Sequence, residues 1–103
     1  MKKTDYTQAL SDKDKLHVKF TEDRGNILEF IVEYFSLVDS RWRTIMRIDN
    51  CHDKNRPHKH TYYLKKKKIK IYWEGDSNEV FTQAKRHIVE KFREIKENFL
   101  MNN

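Results

Sequence analysis

Phe81, Ala84, Ile88, Phe92, Ile95 and Phe99 recur at spacings of three and four near the end of this 103-residue chain. That period lays them along one stripe of an α-helix about five turns long. Gly75-Asp76 precedes the stripe, and Asp76 with Glu79 three residues on has the form of a capping box that opens a helix. An apolar stripe of this length has to be buried against something. The expected partner is one face of a sheet.

The upstream segments carry the period of a sheet. In 16–21, Leu16, Val18 and Phe20 alternate with His17, Lys19 and Thr21, the pattern of a half-buried strand. Arg24-Gly25-Asn26 supplies a turn that tolerates positive φ, and 27–38 is rich in β-branched and aromatic residues, a long strand returning antiparallel to the first. In 41–49, Trp42, Thr44, Met46 and Ile48 fall on one face, and Arg41, Arg43, Ile45, Arg47 and Asp49 on the other. A polar loop over 50–57, a strand over 58–64, a lysine turn over 65–68 and a short strand over 70–73 complete the reading. Residues 1–13 are polar and unpatterned and read as a frayed lead-in. The expected fold is α+β: one domain over 1–103, an antiparallel sheet of about five strands, and one long C-terminal helix packed on one face. Phe30, Phe35, Trp42, Trp73 and the helix phenylalanines are assigned to its core.

Composition narrows the function classes. The lone cysteine, Cys51, has no internal partner, which suits a reducing compartment. No run approaches 18 apolar residues and the first residues are too polar for a signal peptide, so the expectation is a cytosolic protein with no membrane partner. The formal net charge is +6, and residues 41–73 hold eleven Lys/Arg against Asp49 and Asp53. Both flanks are slightly acidic. A localised basic block of this kind suits an anionic partner, nucleic acid being the commonest.

The same block holds the chain's densest group of reactive side chains. Alternation puts His58 and His60 on one face of a strand, roughly 7 Å apart, and pairing around the loop brings Arg47 and Asp49 toward them. Imidazole moves protons near neutral pH and guanidinium stabilises charge on phosphate oxygens, a combination suited to phosphodiester chemistry without a metal. The candidate catalytic residues are His58, His60, Arg47, Asp49 and His52. Arg41, Arg43, Lys59, Tyr62, Lys65, Lys66, Lys67, Lys68 and Lys70 are the candidate nucleic-acid contacts, although a lysine run is also what a solvated hairpin turn uses to discourage edge pairing. A zinc site would draw on His52, His58, His60 and Cys51 or Asp49. With no Cys-x-x-Cys pair and no His-Glu-x-x-His helix, a metal-dependent site is the third and weaker reading, and no metal or cofactor is expected. Cys51 beside His52 reads as incidental rather than as an activated thiol. Glu29 and Glu33 are expected to pair with Arg41, Arg43 or Arg47.

The stretch RIDNCHDKNRPHKHTYY, and within it 47–60, resembles the TumE-type toxins of bacterial and archaeal toxin-antitoxin pairs. The shared features are an Arg-x-Asp-Asn segment, a short loop containing Pro and His, and a His-x-His at a strand start. Pro57 stands before His58 where the family pattern has a second histidine. The resemblance places Arg47, Asp49, Asn50, His58 and His60 on motif positions and implies a toxin encoded beside a helix-turn-helix antitoxin. The resulting expectation is a toxin-like protein acting on RNA, with metal-independent endoribonuclease chemistry. The alternative is a non-catalytic module that holds nucleic acid or an acidic protein. A homodimer through Phe99, Leu100 and Met101 stays open.

Overall fold

The computed structural model describes residues 1–51, 56–63 and 68–101. Its elements are β1 (Lys2–Ser11), β2 (Asp14–Asp23), β3 (Asn26–Val38), β4 (Arg41–Asp49), β5 (His58–Thr61), β6 (Ile69–Tyr72) and α1 (Ser77–Met101). The strands lie side by side in chain order, each antiparallel to the next. Two hairpin turns hold the register of the middle strands. Arg24 and Gly25 have φ of 53° and 82°, and Asp39 and Ser40 φ of 52° and 65°. Paired positive φ values belong to type I′ turns, whose twist matches that of the strands they join.

The helix begins where its cap was expected, with Asp76 Oδ1 accepting the Glu79 N–H at 2.9 Å. Asn78 then ties the first turn to the β2–β3 turn, accepting from Ile27 N–H at 2.8 Å and donating to Gly25 O at 3.1 Å. Anchored there, the helix buries its predicted stripe and Val80 against Leu16 and Val18 of β2, Phe30, Val32 and Tyr34 of β3, and Ile45, Met46 and Ile48 of β4. Each such side chain contributes about 1.5–3 kcal/mol when fully buried. The core therefore sits over the middle strands, and the opposite sheet face is mixed, with half-buried Ile31, Phe35 and Leu37 of β3 beside His17, Glu33 and Arg47. At the far end of the core, buried Asp14 accepts hydroxyl bonds from Ser11, Tyr34 and Ser36 at 2.5, 2.5 and 2.7 Å. Burial pushes the Asp14 carboxyl up, yet those three donors together with the Lys96 charge outweigh it and hold the group below its ordinary value.

Three expectations need correction. Residues 2–11 are a full strand and not a frayed lead-in, so the sheet has six strands. β1 is paired with β2 along its length but is exposed at most positions on both faces. It is held mainly by backbone hydrogen bonds and leaves no alternation for the sequence to display. The second correction is a β-bulge in β4. Tyr34 pairs with Met46 but Phe35 with Thr44, so Ile45 is an extra residue. One extra residue reverses the alternation on either side of it. Arg41 and Arg43 consequently lie opposite Val38 and Ser36 on the helix side, while Arg47 and Asp49 lie on the other face. The four do not share a face. Third, Trp42 is 46% exposed and not core; Lys15 Nζ stands 4.2 Å from its ring centroid. Phe35 and Trp73 are only half-buried.

Candidate functional site

The β4–β5 register sets Asp49 opposite His58 and Arg47 opposite His60, and the β5–β6 register sets His58 opposite Tyr72 and His60 opposite Lys70. Ile48, between Arg47 and Asp49, points into the helix-side core. Strand alternation therefore sends all six of these side chains to the face away from the helix.

Asp49 is the hub of the group and is only 1% exposed. Its Oδ2 accepts from Arg47 Nε at 2.9 Å and its Oδ1 from the Cys51 N–H at 2.9 Å. His58 Nε2 lies 3.2 Å from Oδ1, and His60 Nε2 lies 3.7 Å from Oδ2. Partners of this kind are what make a buried carboxylate tolerable. His58, itself 3% exposed, is fixed on its other side, with Nδ1 2.9 Å from the Arg56 carbonyl oxygen. A carbonyl only accepts, so Nδ1 bears the proton. Nε2 then meets Asp49 either as the second donor of an imidazolium or as a bare lone pair.

His60 stands edge-on to His58, with ring centroids 4.8 Å apart and planes at 89°. Its Nδ1 is buried with no hydrogen-bond partner among the described residues. Burial lowers its pKa, with the His58, Lys68 and Arg47 charges acting in the same direction and Asp49 opposing. The Tyr62 ring lies 6.4 Å from that of His60, and burial pushes its hydroxyl up. Cations and aromatic rings surround the cluster: the Arg56 guanidinium is 4.0 Å from the Tyr72 ring, Lys70 Nζ is 5.0 Å from the same ring, and Lys68 Nζ is 5.8 Å from Tyr62.

Arg47, Asp49, His58 and His60 thus come together, with Tyr62, Lys68 and Lys70 beside them. The other candidates do not join. His52, Lys65, Lys66 and Lys67 lie outside the described residues. Arg41 sits at the β3–β4 turn, and Arg43 reaches the Phe99 ring at 5.7 Å on the helix side. Lys59, opposite Ile48, also faces the helix side, 5.7 Å from the Trp73 ring. The expected pairing of Arg47 with a glutamate is replaced by Asp49, and Glu33 instead accepts from the Thr44 hydroxyl at 2.7 Å.

Asn50 is fully buried, and its work is structural. Its Oδ1 accepts the Phe30 N–H at 2.9 Å while Nδ2 donates to Leu28 O at 3.0 Å and Ser77 Oγ at 2.9 Å. The amide continues the pairing with β3 after β4 has ended and braces it to the helix start. Burial first, then the Asp49 and Glu29 charges, push the Cys51 thiol up, so it is not an activated thiolate. A cleft of about 850 Å³ beside Lys19, Phe20, Leu28 and Cys51 includes neither histidine of the cluster. Arg56 is the contributor that sequence reading passed over, although its place just before Pro57-His58 was a signal.

The fold and the cluster define a sheet-and-helix α+β domain bearing a carboxylate, imidazole and guanidinium group on the sheet face away from the helix. Along residues 1–103 the chain matches a family model described as a Domain of unknown function (DUF7718), and it belongs to that family. No curated protein and no solved structure matches it. Among the described residues, no helix is long and apolar enough to cross a membrane.

Proposed function

We propose that this is a cytosolic, toxin-like protein that acts on RNA by metal-independent cleavage and is held in check by an antitoxin protein. The observation that carries the reading is the convergence of Arg47, His58 and His60 on the buried Asp49 carboxylate. A phosphodiester approaching this face meets Arg47, whose side chain is 31% exposed, and His60, at 13% the more accessible histidine. His60 takes the proton from the ribose 2′-hydroxyl as that oxygen attacks phosphorus, the phosphorus–O5′ bond breaks with the departing 5′-oxygen taking a proton from water, and the guanidinium stabilises charge on the phosphate oxygens. His58 is the positioning residue, since it is tied to both Asp49 and Arg56. DNA lacks the attacking hydroxyl and is not cleaved by this route.

The test is incubation of metal-stripped protein with labelled RNA at low salt. His60→Ala should slow cleavage by roughly 10²–10⁴-fold while RNA binding persists. Undiminished cleavage by the variant would remove the assignment. A second reading, a module that binds RNA without cutting it, is favoured by the Arg56–Tyr72–Lys70 stack, since a ring flanked by cations serves base and backbone contact without chemistry. A salt-dependent gel shift with intact RNA would select it.

A further inference from the structure

We propose that Asp49, His58 and His60 form a binding site for one divalent transition-metal ion of the zinc class, with a fourth coordination position open. The inference is independent of the RNA reading. One ligand atom from each of the three residues lies within 4.8 Å of the other two. His58 Nε2 lies 3.2 Å from Asp49 Oδ1 and His60 Nε2 lies 3.7 Å from Oδ2, both near the tetrahedral edge of about 3.3 Å that zinc bonds of about 2.0–2.1 Å require, and a turn of the carboxylate brings one oxygen toward both rings. The carboxylate and both rings issue from two directly paired strands, with Asp49 opposite His58, so closing onto an ion needs side-chain adjustment and no change in the sheet.

The polar bonding points the same way. His58 donates Nδ1–H to the Arg56 carbonyl at 2.9 Å, the outer bond that commonly orients a metal-binding histidine and fixes its tautomer. That tautomer leaves the neutral ring with a lone pair on Nε2 facing a carboxylate oxygen at 3.2 Å. Two acceptors in contact require a cation between them, whether a proton or a metal ion. His60 presents Nε2 to the other carboxylate oxygen at 3.7 Å, so both rings aim the same nitrogen at Asp49. Two imidazoles and one carboxylate form a donor set that suits zinc, iron(II) and their neighbours better than magnesium or calcium. Arg47 opposes the site, because its guanidinium shares Asp49 Oδ2 at 2.9 Å. It must give up that oxygen or move aside, and it then lies next to the open position. An ion and the proton transfer to His60 use the same lone pair. Zinc is therefore expected to inhibit the cleavage proposed above.

The experiment uses tag-free, chelator-stripped full-length protein titrated with Co²⁺ and then with competing Zn²⁺, read by visible absorption and by the ring-nitrogen resonances of the histidines. The expected result is one equivalent bound, resonances of His58 and His60 moved with that of His17 unmoved, and affinity reduced about 10–100-fold in His60→Ala. His17→Ala, on the same sheet face but on β2, with β3 and β4 between it and β5, should bind as the wild type does. The ring resonances test the wild-type chain directly, so a variant that fails to fold does not shelter the proposal. Absence of saturable binding, unmoved His58 and His60 resonances, or unchanged affinity in a folded His60→Ala would each overturn it.

Discussion

Asp49 stays buried because Arg47, the Cys51 amide, His58 and His60 all meet it, and removing it leaves those groups facing a void. Asp49→Ala is expected to cost about 3–5 kcal/mol in urea denaturation, the usual range for breaking a buried charged cluster from one side. Asp49→Asn, which keeps the shape and one acceptor oxygen, should cost less. A reversed order of the two variants would mean that the carboxylate charge is a burden there. Asp14 makes a different prediction, at the opposite end of the core. Its carboxyl is held below its ordinary value of 3.8 in the fold, so its contribution is complete above that value and is lost as pH falls through the lower folded value. Thermal melts of the wild type below about pH 4 should fall more steeply than those of Asp14→Asn; parallel curves would contradict the assignment. At this scale the sequence made Arg47, Asp49, His58 and His60 legible through spacing alone. It did not reveal the brace formed by Asn50 or the Arg56 carbonyl behind His58. Those bonds depend on which backbone groups arrive from β3 and the loop, and no residue pattern encodes that.

At the scale of elements, the outcome turns on one inserted residue and one polar strand. The alternation in β4 was read correctly on each side of Ile45 but not across it, because a bulge leaves no mark in composition. It moved Arg41 and Arg43 away from the site while leaving Arg47 and Asp49 in it. β1 escaped reading for the opposite reason, since a strand exposed on both faces needs no apolar period. The helix stripe and its Asp76 cap were legible in full, as burial and capping each leave a local signature. The β3–β4 turn carries a testable strain: Ser40 holds φ of 65°, a region that costs a side-chain-bearing residue roughly 1 kcal/mol. Ser40→Gly should therefore stabilise the protein by about 0.5–1 kcal/mol in chemical denaturation. A loss of stability would mean that the serine side chain has a compensating role.

Across the whole molecule, the basic excess seen in the middle third of the chain is divided between two faces by the sheet. Lys68, Lys70, Arg47 and Arg56 surround the histidines, whereas Arg43 and Lys59 turn toward the helix. Charge reversal should expose that division. Arg56→Glu and Lys70→Glu are expected to weaken RNA binding and flatten its salt dependence, and Arg41→Glu at the distant hairpin end should do neither. Equal effects from all three would point to a diffuse field instead of a face. The helix end contributes Phe99 to the core, while Leu100 and Met101 are 39% and 69% exposed, and Leu28, Trp42, Ile69 and Ile71 are exposed on the sheet as well. The most direct test remains the chemistry on that face. Metal-stripped, tag-free wild type and His60→Ala are incubated with labelled RNA and with DNA of the same sequence. The expected result is cleavage of RNA alone by the wild type, leaving 2′,3′-cyclic phosphate ends, and cleavage at least about 100-fold slower by a variant that still binds. Intact RNA with the wild type, or equal cleavage by both proteins, would contradict the role assigned to the Asp49 cluster.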